Sequence, residues 1–299
     1  MDLIFITNDS DLAVSAQSAG VDRVMVDLEI LGKQDRQGHL NTVISNHSLE
    51  DVGRIGSVLN VSKLLVRVNP INEQSKLEID SVIEQGADII MLPMFKSALE
   101  VEAFVQLVNG RVTTCLLLET QEAVTEIDNI LSVKGIDEIH IGLNDLHLSM
   151  GLSFMFEALA NGVLDKLNKK IIKAKVKFGF GGVARLGGGN LDASLILSEH
   201  IRLNSSMVIL SRDFKEKDVN IKTEVGKIRE YLSTPKSIEV LASNQCLAYE
   251  KINNIASHIK KNDHIVKKLS MVDRQLITSL SGFVYFIPTL YFSWTMRGS

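Results

Sequence analysis

Eight short apolar runs, each followed by a polar turn and a helical pattern, constrain the fold of this 299-residue chain more than any other feature. They are LIFIT (3–7), RVMVDLE (23–29), KLLVRVN (63–69), DIIMLP (88–93), TTCLLLET (113–120), EIHIGLND (138–145), KFGFGG (177–182) and SMVILS (206–211). Val, Ile and Leu fill them without strict alternation, as in parallel strands buried on both faces. The intervening patterns predict helices around 10–19, 48–59, 73–85, 97–109, 121–132, 153–175, 190–200 and 221–232. Asp9 or Ser10 is expected to cap the first, and Thr120 or Gln121 to open the fifth. Eight strand-helix units within about 230 residues fit an α/β chain folded as a closed (β/α)8 barrel better than an open doubly wound sheet.

Composition agrees with a folded chain that buries a large core: 45% of residues are hydrophobic and 23% charged, with 20 Gly and only 4 Pro. Cys115 and Cys246 are too few for a disulfide framework or a Cys-rich zinc site, so a reducing compartment, the cytoplasm, is expected. MDLIFITNDSD at the N-terminus lacks the basic region and apolar length of a signal peptide. The net charge of −4 averages two unlike regions, because residues 1–232 carry 24 basic against 32 acidic residues and the remainder eight against four. Nothing in this balance suggests a nucleic-acid partner.

In such a barrel the active site lies where strands end and loops begin, so polar residues there are the candidates. They are Asn8 and Asp9, Asp27 and Glu29, Arg67 and Asn69, Glu119, Asn144 and Asp145, Arg185, and Ser211 and Arg212. Glu119 and Asp145 on neighbouring strand ends either provide oxygen ligands for Mg2+ or Mn2+ or merely cap the helices that follow. Arg67, within an apolar strand, either contacts an anionic substrate or pairs internally with Asp27 or Glu29, and the two readings are compatible. His147 and His39 are candidates for proton transfer, whereas His140, inside a strand, reads as a core residue. GFGGVA (179–184) matches a dinucleotide fingerprint only formally, since the next strand ends in Ser211 and Arg212 and not in an acid. A glycine-rich βα loop that lets the backbone approach a ligand is the expected role.

Several segments in succession resemble the HpcH/HpaI aldolase and citrate lyase β-subunit family. They are GVDRVMVDLE (20–29), LVRVNP (65–70), GADIIMLPMFKSALEVEAFV (86–105), LLLETQEAV (116–124), GIDEIHIGLNDLHLSMG (135–151) and GFGGVARLG (179–187). The resemblance implies a TIM barrel of the pyruvate/phosphoenolpyruvate type, a homo-oligomer, and carbon–carbon bond chemistry beside a bound divalent cation. It implies Glu119 and Asp145 as metal ligands, Arg67 as the contact to the substrate oxygen and developing enolate, and the amides near Asn144 and Asp145 as the cradle of a keto-acid carboxylate. One position departs. Where the family carries His or Asp directly after its D-x-E, this chain has Ile30, which cannot move a proton. Glu29, His39, His147 or a metal-bound water then remain as the base, and the polar loop 32–42 suggests an unusual substrate.

The expected function is therefore a divalent-metal-dependent carbon–carbon lyase acting on a small carboxylic or 2-oxo acid. A CoA-thioester lyase or citrate-synthase-like condensing enzyme, and a barrel without chemistry that serves membrane or assembly, are the alternatives. The catalytic domain is assigned to 1–232 and a helical, then apolar, extension to 233–299, with 237–270 read as helix. Six of the 16 aromatic residues lie in the last 17 positions, and no charge occurs from Gln275 to Met296. Docking of this tail on a partner subunit is favoured over contact with a membrane surface and over a non-native end.

Overall fold

The computed structural model describes residues 1–32 and 47–280, with side chains as far as residue 262. Eight parallel strands close into a barrel in sequence order: β1 (Asp2–Ile6), β2 (Arg23–Asp27), β3 (Lys63–Arg67), β4 (Ile89–Leu92), β5 (Thr113–Leu118), β6 (Glu138–Ile141), β7 (Lys177–Val183) and β8 (Met207–Leu210). The expected barrel is thus observed. Alternation puts Ile4, Met25, Leu65, Ile89, Met91, Cys115, Leu117 and Met207 into one interior cluster. The intervening residues, such as Val24, Leu64, Val66, Ile90, Leu116, Ile139 and Phe178, are equally buried, which explains the continuous apolar runs.

Local signals set the helix starts. Asp9 accepts from the Leu12 amide at 3.0 Å, Thr120 from the Ala123 amide at 3.1 Å, and Ser97 with Glu100 forms a reciprocal capping box. The single helix expected over 153–175 is instead Glu157–Ala160 and Val163–Lys173, separated where Gly162 turns at φ +77°, and a further helix spans Leu143–Ser149. The glycines of GFGGVA lie within β7, as the strand run KFGFGG predicts, and not in the βα loop also expected of them. At Gly179 the reason is close packing: a Cβ there would stand 2.3 Å from Met207 Cγ.

An ion pair closes the barrel floor. Arg23 is 3% exposed and reaches from β2 to Glu138 on β6, which is 1% exposed, with Nη2 at 2.9 Å from Oε1, while its Nε contacts Asp2 at 2.9 Å. At the seam between β1 and β8, Arg229 donates to Met1 O at 2.8 Å and Gly20 O at 2.7 Å and pairs with Asp22.

Met1–Ala256 is one compact unit and Ser257–Ser299 a second. Helix Ile238–Leu280 begins in the first, where Ala248, Ile252 and Ala256 are buried and Tyr249 meets Arg202 at 3.3 Å, and continues in the second. Residues 281–299, which hold the aromatic cluster, lie outside the described residues, as do 33–46 with His39. Among the described residues no helix is long and apolar enough to cross a membrane.

Two interior histidines give the fold an acid limit. Burial pushes His140 down to about 4 and His200 well below the ordinary imidazole value; His140 donates from Nε2 to Gly181 O at 3.0 Å, and His200 stacks on Phe180. In the unfolded chain both take protons near pH 6.5, so stability is intact above that value and is lost as pH falls from about 6.5 toward 4. His140 alone contributes about 3 kcal/mol of this loss. Urea midpoints at pH 7.5, 6 and 5 should fall steadily, and His140→Gln should flatten the slope; a wild-type profile flat across this range refutes the assignment.

Candidate active site

Charge converges at the C-terminal mouth of the barrel. Arg67, the last residue of β3, lies beside Asp27, the last residue of β2, because the two are register partners. Its Nε and Nη2 grip the Asp27 carboxylate at 2.8 and 2.7 Å, and Nη1 lies 3.2 Å from Glu29 Oε2. The internal ion pair foreseen for Arg67 is therefore formed, with both expected acids. Burial works against the guanidinium charge, but Asp27, Glu29 and Glu119 more than offset it and hold Arg67 protonated.

Glu119 extends β5 by one residue and is only 2% exposed. Burial raises its carboxyl to about 8; Arg67 and the Met94 amide oppose the rise, while Asp145 and Glu29 add to it. Its Oε1 accepts from Met94 N at 3.1 Å, and Met94 holds a left-handed backbone at φ +53°, a conformation costly for a non-glycine residue. On the other side lies Gly142, where a Cβ would stand 2.7 Å from Glu119 Oε2 and 3.2 Å from its Cβ. Gly142→Ala is accordingly expected to displace the Glu119 side chain; if Glu119 is a metal ligand, Mn2+ affinity by isothermal titration should fall at least about tenfold, and unchanged affinity contradicts this.

Asp145 and Asn144 are half-buried in the first turn of helix Leu143–Ser149, and Asp145 is within electrostatic reach of Glu119. The mouth thus gathers Asp27, Glu29, Glu119 and Asp145 around Arg67. Among the described residues no three His, Cys, Asp or Glu side chains are placed to hold a metal by themselves. Two carboxylates in an oxygen-only, negatively charged mouth still suit a hard divalent cation that completes its shell with water and substrate. Glu119, hard to ionise in its surroundings, gains from any cation placed against it.

The other candidates are placed differently. His147 directs Nδ1 to Leu143 O of its own helix at 3.3 Å, and none of its described contacts reaches the acid cluster. Arg185 is engaged by Glu216 at 2.6 Å, and Asn8 by Asp51 at 3.1 Å. Ile30 is 60% exposed. Sequence reasoning missed Gly142, the Met94 amide and His47, whose Nδ1 accepts the Asp27 amide at 2.9 Å. Only Gly142, a glycine closing an apolar strand, carried a sequence signal that could have been read.

A closed parallel barrel with one arginine among carboxylates at its C-terminal mouth defines an enzyme-type (β/α)8 protein. The model of the HpcH/HpaI aldolase/citrate lyase family matches residues 3–180, and the chain belongs to this family. An HpcH/HpaI aldolase from Desulfitobacterium hafniense DCB-2 superposes with a TM-score of 0.57 at 17% identity, covering 78% of this chain and 93% of that one. An HpcH/HpaI aldolase/citrate lyase family protein from Burkholderia cenocepacia J2315 gives 0.55 at 15% identity, covering 77% and 92%. The citrate synthase SbnG gives 0.55 at 18%, covering 77% and 89%. At these identities the likeness is one of fold. No curated protein is a significant match.

Proposed function

We propose that the chain is a divalent-metal-dependent carbon–carbon lyase of the aldolase type, acting on a small 2-oxo acid through a pyruvate-like enolate. The observation that carries this reading is the single guanidinium of Arg67 set against Asp27 and Glu29, with Glu119 in electrostatic reach, at the barrel mouth. When bound between Glu119 and Asp145, Mg2+ or Mn2+ supplies Lewis-acid polarisation of the 2-oxo group. In a 4-hydroxy-2-oxo acid, Glu29 takes the hydroxyl proton and the bond between carbons 3 and 4 breaks. An aldehyde leaves, and the electron pair moves onto the 2-oxo oxygen as an enolate. Arg67 offsets that charge, and Glu29 returns its proton to carbon 3, which yields the shortened 2-oxo acid and restores the base. The amides of the first turn at Asn144 and Asp145 receive the substrate carboxylate. Glu29 carries the proton because Ile30 offers no group for it and His147 is turned into its own helix. The assembly in this reading is a homo-oligomer; residues as far as Ala256 pack on their own barrel, so docking on a neighbouring subunit falls to the segment after it.

The test is exchange of the methyl protons of pyruvate in D2O, followed by NMR. Exchange with Mg2+ or Mn2+ that stops on chelation supports the reading, and no exchange with any divalent ion overturns it.

A further inference from the structure

Beyond Asp27 and Arg67 the β2–β3 ladder ends, yet the next four backbone amides, Leu28 to Leu31, all find acceptors. Leu28 N donates to Arg67 O at 2.9 Å, and Glu29 N to Asp27 Oδ1 at 3.2 Å. The remaining bonds come from one side chain. Asn69 Oδ1 accepts from both Ile30 N and Leu31 N at 3.0 Å, while its Nδ2 donates to Leu28 O at 3.3 Å. The second Nδ2 hydrogen goes to Glu78 Oε1 at 2.7 Å, and Glu78 also accepts from the Asn69 amide at 3.2 Å.

Asn69 therefore brackets Glu29 from both sides in the chain, and every donor and acceptor of its amide is used. The orientation of the amide is fixed by these partners, since two N–H groups face Oδ1 while a carbonyl and a carboxylate face Nδ2. Ile30 is 60% exposed and Leu31 47% exposed, whereas Glu29 between Leu28 and Ile30 is 1% exposed. A buried acid is thus carried on a turn whose outer side chains are largely in solvent. An aspartate in place of Asn69 lacks the donor and would set a second charge against Glu78, and an aliphatic residue would offer neither half of the bracket.

We infer that Asn69, backed by Glu78, is a positioning residue that holds Glu29 against Arg67 and sets the direction of its proton transfer. The inference rests on the aldolase reading for its catalytic consequence, and on geometry alone for the bracket. In Asn69→Ala, kcat for pyruvate proton exchange should fall about 30- to 100-fold with KM for pyruvate within about twofold, because misplacement of a reacting group costs rate more than binding. Since Asn69 acts through Glu29, adding Asn69→Ala to Glu29→Gln should cost less than about twofold more. Equal losses in the two backgrounds, an exchange rate near wild type, or a rise in KM with kcat unchanged would overturn the assignment. A second readout needs no turnover. Hydrogen exchange of the Ile30 and Leu31 amides should accelerate about tenfold or more in Asn69→Ala and less in Asn69→Ser. Unchanged amide exchange in Asn69→Ala refutes the bracket whatever the catalysis. Wild-type protein inactive with every divalent ion would instead remove the aldolase reading and leave the amides to decide the bracket.

Discussion

Arg67→Ala should abolish pyruvate proton exchange and also weaken the fold, a double effect that few single substitutions in a barrel produce. The guanidinium neutralises the carboxylates of Asp27 and Glu29, each no more than 2% exposed. Removing it leaves buried negative charges without a counter-ion, which costs about 3–5 kcal/mol. The rate loss should be on the order of 10³-fold, the scale for deleting a group that meets charge developing in the transition state. Arg67→Lys should recover much of the stability and little of the rate, since an ammonium keeps the charge but cannot grip Asp27 with two parallel bonds while reaching Glu29. Denaturation curves and the exchange assay measure both effects. An Arg67→Ala protein that exchanges pyruvate protons at the wild-type rate would remove Arg67 from the chemistry.

At the opposite end of the barrel, Arg23→Met should separate stability from activity. Arg23 and Glu138 have side chains 4% and 2% exposed, so the variant removes the buried partner of Glu138, leaves it only the exposed Lys177 at 3.3 Å, and is expected to cost about 3–5 kcal/mol. Turnover by the folded fraction should be unchanged, because the floor lies at the strand N-termini and the acid cluster at their C-termini. The double variant Arg23→Met with Glu138→Leu should regain most of the loss, as apolar replacements of buried ion pairs commonly do. If Arg23→Met is as stable as wild type by urea denaturation, the floor pair has no structural importance.

The barrel was legible because its strands are buried on both faces, which writes Val, Ile and Leu into continuous runs, and because caps such as Asp9 and Thr120 are local. Strand-end position alone brought Asp27, Glu29, Arg67, Glu119 and Asp145 under suspicion, and these are the residues that meet. What stayed hidden depends on distant approach. Gly142 carried the signal of a strand-end glycine, but its partner shows only once Glu119 is seen against it, and the Met94 amide belongs to no side chain. The GFGG run carried both a strand and a loop reading because glycine permits either; Met207 on the neighbouring strand, packed against Gly179, distinguishes them. His147 looked central from its two-residue distance to Asp145, but helical rotation turns it toward Leu143.

The tie that Arg229 makes at the seam has a bearing on how the chain reaches its final form. It joins residue 229 to Met1, Gly20 and Asp22, across 207 to 228 positions of sequence, where β1 meets the last strand to be made. During synthesis β1 is an open edge until β8 and the helix carrying Arg229 have emerged. Contacts this non-local slow folding: β1 gains its second neighbour only once β8 is made, and Arg229 then ties the helix that follows to the start of β1.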